Sequence, residues 1–349
     1  MSSGVRRRGV GRPAGADPVP LPRTGRDGPA RGRDDPAKPG IPVAPRAGLL
    51  RRIVRDRVVL LMALPGLGVM LAFAYLPLLG NFIAFQEYLP FVPLGRSAWV
   101  GFDNFSVIFN GDQEFLNAVG NTLTITLVQV VFVFPAPILL ALLLNSLMSE
   151  RLKKIVQSIL YLPHFLSWVI VVAIFQQMLG GGGMLNNALR SAGQGTVNIL
   201  GNPDAFIAVI TSQVMWKDTG WATILFLAVL AQISPTLYEA ASVDGASKMR
   251  QLWHVTLPGM RGIIIMLLIL RLGDSLTVGF EQILLQQKAF GREASEVLDT
   301  YVYNNGIVGG QWGVAAAVGL VKGLVGVALV YGANKVAHVF GESGVYEKR

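Results

Sequence analysis

The sequence has no cysteine, only three histidines and few charged residues among its 349 residues. Without cysteine the chain cannot form disulfides or Cys-ligated iron–sulfur clusters, and it cannot use thiol catalysis. A Gly-x-x-x-x-Gly-Lys-[Ser/Thr] phosphate loop, a His-Glu-x-x-His zinc pair and a Gly-x-Ser-x-Gly nucleophile elbow are also missing. Because His164, His254 and His338 stand in different segments, we expect no metal site, no bound cofactor and no enzymatic activity in this chain.

The composition is that of an integral membrane protein. Hydrophobic residues make up 52% of the chain and charged residues only 15%, which a soluble domain would not show. Residues 1–57 hold 14 of the 30 basic and 5 of the 21 acidic residues, so they carry the whole net charge of +9. Proline and glycine recur throughout this segment, which predicts a disordered cytoplasmic tail rather than a nucleic-acid-binding arm.

Six apolar runs are long enough to cross a bilayer, which takes roughly 20 residues. They are about Val58–Phe85, Ala118–Leu147, Ile155–Leu179, Ala205–Ile233, Gly262–Leu285 and Gly313–Phe340. The fourth contains Lys217 and Asp218, but cutting it there would leave two pieces too short to span. We therefore predict one helix, bent near Gly220. The predicted fold is all-α, with six transmembrane helices over residues 58–340 and a cytoplasmic C-terminal tail over 341–349.

Basic residues in the connections predict the orientation of these spans. With the N-terminus inside, the inner side collects 23 Lys and Arg, whereas the outer loops hold only Arg96, Arg190, Lys288 and Arg292. Both termini are therefore expected in the cytoplasm, and so is the connection between the fourth and fifth spans. A chain of this kind is predicted to be a multi-pass protein of the bacterial plasma membrane, surrounded by lipid.

That connection contains a polar, amphipathic segment from Glu239 to Pro258. Ser234-Pro235 predicts the start of a capped helix over Thr236–Val243, and Asp244-Gly245 predicts a break. A second helix is expected from Ser247 to Pro258. Its apolar face would carry Met249, Leu252 and Trp253, and its polar face Lys248, Arg250 and Gln251. An interfacial elbow on lipid headgroups accounts for this second helix. It does not account for the small, polar first half.

Seven residues of the connection match a longer pattern: Glu-Ala-Ala, three residues, Gly, nine residues, an aliphatic residue, one residue, Leu-Pro. They are Glu239, Ala240, Ala241, Gly245, Val255, Leu257 and Pro258. The segment therefore resembles the EAA motif of ABC importer permeases, with Val255 where isoleucine is usual. Together with the six spans, it makes the chain similar to carbohydrate-uptake permeases of the type I importer fold. The core five-helix unit would cover about residues 117–332 and the coupling loop residues 234–261.

The resemblance implies that this loop is a coupling helix inserted into a groove on a separate cytoplasmic ATPase subunit, which alone uses ATP. The residues expected to dock or to shape the loop are Glu239, Ala240, Ala241, Asp244, Gly245, Ala246, Leu257 and Pro258. Alanines allow a close approach, and Glu239 can form a charge-assisted hydrogen bond worth about 2 kcal/mol. Gly245 permits the turn.

Four short motifs further resemble the branch that handles oligosaccharides and polysaccharide fragments: 216–221, 279–282, 300–303 and 317–322. The implied assembly pairs this chain with a second, similar permease, an ATPase dimer and an extracytoplasmic solute-binding protein. Sugars bind aromatic faces and paired hydrogen-bonding groups, so Gln213, Lys217 and Glu281 are predicted to line the substrate path. The alternative for each is that it holds helices together.

Two other functions stay open at this point. The chain could be an ABC importer permease for a peptide, phosphate or amino acid, since the coupling motif does not specify the cargo. It could instead be an ion-driven secondary transporter, but such proteins are often built from inverted repeats, and the sequence shows none. The pore could be homodimeric or heterodimeric.

Overall fold

The computed structural model describes residues 56–147, 149–339 and 341. Most of the basic tail predicted over residues 1–57, and most of the C-terminal tail predicted over 341–349, lie outside the described residues. The chain divides into two units, residues 1–64 and 65–349. In the first unit the described residues from Arg57 onwards are helical.

The described residues are mostly helical, with one two-stranded sheet. The α-helices are α1 (Arg57–Met70), α2 (Ser106–Phe109), α3 (Gln113–Val128), α4 (Pro135–Asn145), α5 (Glu150–Tyr161), α6 (Trp168–Leu179), α7 (Met184–Ser191), α8 (Phe206–Leu230), α9 (Pro235–Val243), α10 (Lys248–Gln251), α11 (Leu257–Gly273), α12 (Phe280–Phe290), α13 (Arg292–Ser295), α14 (Leu298–Tyr301) and α15 (Trp312–Val339). Strands β1 (Gln86–Glu87) and β2 (Ala98–Trp99) pair antiparallel. Short 3₁₀ and π segments join several α-helices into longer ones.

Five continuous helical stretches are long and apolar enough to cross a membrane. They are Arg57–Phe85, Gln113–Asn145, Trp168–Ser191, Lys248–Gly273 and Trp312–Val339. A sixth candidate is the pair Pro203–Leu230 and Pro235–Val243, which is bent by 70° between its two parts. The number of spans predicted from the sequence is therefore confirmed within the described residues, although several boundaries differ.

The fourth span is one unbroken helix, α8, as predicted. The bend expected near Gly220 lies instead between Leu230 and Pro235. Gly220 is instead a contact point between helices, because a Cβ atom there would lie 2.0 Å from the carbonyl oxygen of Leu160 in α5. Glycine therefore lets α5 and α8 approach more closely than any side chain would allow.

The third predicted span, Ile155–Leu179, is wrong as a single helix. Helix α5 begins at Glu150, where the Ser149 hydroxyl accepts a hydrogen bond from the N–H of Leu152, and ends at Tyr161. A 3₁₀ turn over Leu162–Phe165 follows, and Leu166 is extended before α6 begins at Trp168. The turn contains Pro163, which lacks a backbone donor and disfavours a continuous helix.

The fifth predicted span, Gly262–Leu285, is also shifted. Helix α11 ends at Gly273, and α12 begins only at Phe280, after Gly279 adopts a φ of +56°. The N-terminal end of this span starts earlier than expected, because α10 and α11 form one helical stretch over Lys248–Gly273. The Thr126 hydroxyl of α3 donates a hydrogen bond to the carbonyl of Ser275 in the break.

Candidate functional site

Residues 234–258, called the elbow below, form two helices joined by a tight turn. Helix α9 ends in a Schellman motif: the N–H of Gly245 donates to the Ser242 carbonyl at 3.1 Å, and that of Ala246 to the Ala241 carbonyl at 2.9 Å. Gly245 has a φ of +74°, a left-handed conformation that favours glycine. The break predicted at Asp244-Gly245 is confirmed.

The start of α9 differs in one detail from the expected cap. Pro235 occupies the first turn of the helix, as predicted. Among the described residues, however, the Ser234 hydroxyl pairs with the Thr236 hydroxyl at 2.8 Å rather than with a backbone N–H. Proline already removes one of the unpaired donors of this helix end, so the hydroxyl is free to bond elsewhere.

The second helix of the elbow does not end at Pro258, contrary to the sequence prediction. A π turn over Leu252–Thr256 connects α10 to α11, and the N–H of Leu257 donates to the Leu252 carbonyl five residues earlier. Proline in a regular helix would clash with the carbonyl four residues before it. The wider π turn provides room for the ring, so the helix passes through Leu257-Pro258 and continues into the membrane span.

Three side-chain hydrogen bonds hold the two halves of the elbow together. The Tyr238 hydroxyl lies 3.1 Å from the Thr256 hydroxyl. Gln251 donates to the Ser242 hydroxyl at 2.9 Å and to the Ala246 carbonyl at 3.3 Å. Gln251 was predicted on the exposed polar face, but its side chain turns inward and it is only 6% exposed. The sequence did not indicate this, because the partners of Gln251 lie on the other helix.

The exposed surface of the elbow includes more than half of the residues expected to dock or to shape the loop. Glu239, Ala240, Asp244 and Gly245 are exposed, and Val243 beside them is 87% exposed. The other expected residues form the base of the elbow: Ala241, Ala246 and Leu257 are half-buried, while Pro258 is exposed. The end of α9 is therefore accessible and carries small side chains.

The start of α11, directly after the elbow, packs tightly against the segment that follows α8. A Cβ atom at Gly259 would lie 2.8 Å from Cδ1 of Ile233, so the two chain segments are in direct contact there. This contact lies next to the 70° bend between Leu230 and Pro235. The elbow is therefore continuous with α11 on one side and joined to α8 through a bend on the other.

Of the three residues predicted to line a substrate path, Gln213 is fully buried. Its carbonyl oxygen accepts hydrogen bonds from Gln282 at 2.7 Å and from Gln286 at 3.0 Å, and its amide donates to Gln286. Gln282 also donates to the Ile210 carbonyl. This network joins α8 to α12 through neutral groups whose hydrogen bonds are satisfied.

Lys217 is also largely buried, with 7% of its surface exposed. Its ammonium group donates to the carbonyls of His164 and Leu166, each at 2.6 Å, and lies 5.5 Å from the ring centre of Trp168. These carbonyls belong to the break between α5 and α6, where a regular helix would have paired them. Lys217 therefore satisfies backbone groups that the break leaves free.

The neighbours of Lys217 support the same break. Asp218 lies 2.9 Å from Nδ1 of His164, and the His164 ring stacks on Trp221 with centroids 4.7 Å apart. The polar pair in the fourth span thus contacts the third span within the protomer. Glu281 is exposed at the start of α12. Contact of Gln213, Lys217 or Glu281 with a substrate stays a prediction.

A second ionic cluster lies around α13. Arg292 pairs with Glu296 at 3.0 Å and with Glu114 of α3, and the hydrogen bonds that the Arg292 guanidinium donates to Glu296 raise its pKa. Asn304 donates to Glu296 at 2.8 Å and to Gln287 at 3.1 Å. The contact of Arg292 with Glu114 connects α13 to α3, although both side chains are about half exposed and the pair contributes little to stability.

Comparison with known proteins gives consistent matches. The family model "Binding-protein-dependent transport system inner membrane component" matches residues 133–336. The polygalacturonan/rhamnogalacturonan transport system permease protein YteP of Bacillus subtilis (strain 168) is 43% identical over 302 residues, which cover 86% of this chain and 94% of that protein. Protein LplB of the same organism is 43% identical over 293 residues, covering 84% and 92%.

The fold is also similar to a solved structure, a bacterial alginate ABC transporter in complex with an alginate pentasaccharide-bound periplasmic protein. The TM-score is 0.78 at 36% sequence identity, and the match covers 85% of this chain and 99% of that chain. The elbow lies within the residues that the family model matches. The chain therefore belongs to the binding-protein-dependent transport system inner membrane components, as a multi-pass permease subunit of an ABC importer.

Proposed function

We propose that this chain forms one half of the translocation path of an importer for oligosaccharides, and that a separate ATPase drives it through the elbow. Support for the cargo comes from the relatives, because YteP is named for polygalacturonan and rhamnogalacturonan transport, and the solved transporter for alginate. Support for the coupling comes from the elbow, where Glu239, Ala240 and Gly245 are exposed shortly before a continuous helical stretch begins at Lys248.

The continuity of α10 and α11 carries the mechanical part of this proposal. Residues Lys248–Gly273 form one helical stretch, so a displacement of the elbow moves α11 as a unit. The connection to α8 instead passes through the 70° bend at Leu230–Pro235, which can absorb part of the movement. Closure of a cytoplasmic ATPase dimer would therefore act mainly on the fifth span, with ATP bound and hydrolysed by that dimer.

The remaining partners complete an importer of this type. A second, similar permease would form the other half of the path, and a solute-binding protein would deliver the sugar on the outer side. The solved alginate transporter is in complex with a periplasmic protein, which supports this assembly. The elbow and both termini would then lie in the cytoplasm. A cargo other than sugar, or an ion-driven mechanism, finds no support among these relatives.

The test is ATP hydrolysis and uptake by the reconstituted complex. The transporter, with its second permease and ATPase subunits, is placed in proteoliposomes with its binding protein. Oligogalacturonates, neutral oligosaccharides and a peptide are compared as cargo. We expect hydrolysis to rise only with a sugar-loaded binding protein. Stimulation by the peptide alone would contradict the cargo assignment, and hydrolysis by this chain without the ATPase subunits would contradict its role as a passive permease.

A further inference from the structure

A groove with a volume of about 740 Å³ lies between α11 and α15. Glycines form part of its wall, namely Gly273, Gly319, Gly323 and Gly326. The two helices touch at its edge, where a Cβ atom at Gly273 would lie 2.3 Å from Cγ2 of Val330. The volume falls within the range of small-molecule sites. The space exists because these four glycines have no side chains to fill it.

The groove contains an ion pair, and one of its two residues lies within a membrane helix. Lys322 of α15 pairs with Asp299 of α14, and their side chains are 16% and 21% exposed. Lys322 is the eleventh residue of the 28-residue helix α15, so it lies about 15 Å from the outer end of that helix. Ionised groups at such a depth cost a few kcal/mol unless they face a cavity or a partner. Lys322 and Asp299 satisfy each other, and both line the groove, so the groove offers a polar occupant a charged contact at this depth.

Other groups along the groove suit a sugar chain. Asp274 and Thr277 line one side and are exposed, so a hydroxyl can bond to them. Tyr331 is 69% exposed and presents an aromatic ring to the groove. From Gly319 to Tyr331 the helix rises about 18 Å, which suits an extended chain of rings rather than one ring.

Three charged residues line the groove, namely Asp274, Asp299 and Lys322. Lys322 pairs with Asp299, and Arg271, which lies outside the lining and donates to Gln129, is close enough to Asp274 to interact with it electrostatically. Each carboxylate of the groove therefore has a cation near it. An ammonium group has three donors, so Lys322 can hold Asp299 and a second carboxylate at the same time.

The geometry points to this groove as a binding subsite for a uronate-containing oligosaccharide, with Lys322 as the cation that contacts a sugar carboxylate. This inference rests on the proposed function and narrows its substrate class. Polygalacturonan and alginate, named for the relatives, are both polymers of uronic acids. A neutral sugar would need hydroxyl partners along the groove but no intramembrane cation beside it.

The test uses the complete transporter in nanodiscs without binding protein, titrated with trigalacturonate and with its fully methyl-esterified, uncharged form. We expect the wild type to bind the acid about tenfold more tightly than the ester, as one charge-assisted hydrogen bond allows. The double variant Lys322→Gln with Asp299→Asn should lose this preference. Changing both residues avoids leaving a carboxylate without its partner. Lys335→Gln, on the same helix but outside the groove, should keep the preference.

Three results would overturn the inference. The first is a double variant that still prefers the acid, and the second is a wild type that binds neither sugar. The third is loss of the second permease when the double variant is purified, which would identify the groove as an interface between permeases. Stimulation of ATP hydrolysis by a sugar-loaded binding protein tests the proposed function separately. A transporter that passes that test can still fail this one.

Discussion

Replacement of Gly245 tests whether the shape of the elbow transmits force. Gly245 has a φ of +74°, and beyond its chain neighbours no described atom lies within 4 Å of a Cβ atom placed there. A substitution therefore strains the backbone without creating a clash. For an ordinary L-residue this strain costs about 1–2 kcal/mol, which would lower the equilibrium constant for forming the Schellman turn by a factor of about 5–30.

The size of the effect should follow the tolerance of each side chain for this conformation. Asparagine adopts left-handed angles more readily than other residues, so Gly245→Asn should change coupling least. Gly245→Ala should have the full effect of about 1–2 kcal/mol, and Gly245→Val more, because a β-branched residue rarely has a positive φ. The Ala246 N–H would then lose its bond to the Ala241 carbonyl, and the exposed face of α9 would change its orientation.

The assay measures sugar taken up per ATP hydrolysed by the complete transporter in proteoliposomes. Uptake per ATP should fall least in Gly245→Asn, more in Gly245→Ala and most in Gly245→Val. The amount of this chain in the purified complex should be the same for all three variants. Gly262→Ala is the matched control: it lies within α11, outside the left-handed region, and is equally free of neighbours within 4 Å among the described residues. A Gly245→Val transporter with normal coupling would refute the reasoning.

Three further substitutions test the contacts that hold the elbow and the spans. Gln251→Ala removes the buried bridge between the elbow helices and should cost about 1–3 kcal/mol, seen as faster proteolysis of the elbow, whereas unchanged proteolysis would contradict the bridge. Gly220→Ala places Cβ 2.0 Å from the Leu160 carbonyl, so the thermal midpoint of the purified complex should fall; an unchanged midpoint would show that the helices separate freely. Lys217→Met leaves the carbonyls of the break after α5 unpaired and should lower thermal stability more than it changes KM. A raised KM with normal stability would instead support contact of Lys217 with the cargo.

The sequence was sufficient for the class of protein and for the turn of the elbow. Six apolar runs gave the number of spans, since the cost of burying each residue in lipid is a local property that hydropathy measures. The break at Gly245 was equally local, because a left-handed turn after a short helix needs glycine. The EAA pattern identified the family, and the match of the family model over residues 133–336 confirms that identification.

The breaks in the third and fifth spans needed the tertiary structure. A helix that opens within a membrane leaves carbonyls without partners, and only another segment can supply the missing donors. Lys217 does so for the break after α5, and Thr126 for the break after α11, from sequence positions 51 and 149 residues away. No local pattern connects such residues.

The buried position of Gln251 was decided in the same way. Its spacing on α10 placed it on a polar face, and only the return of α9 beside it provides the Ser242 hydroxyl that draws it inward. The groove between α11 and α15 is likewise a product of packing, since its glycines come from two helices and its ion pair from α14 and α15. Local free energies determined which segments enter the membrane and where the chain turns, whereas contacts between distant segments decided where helices break and which polar groups meet.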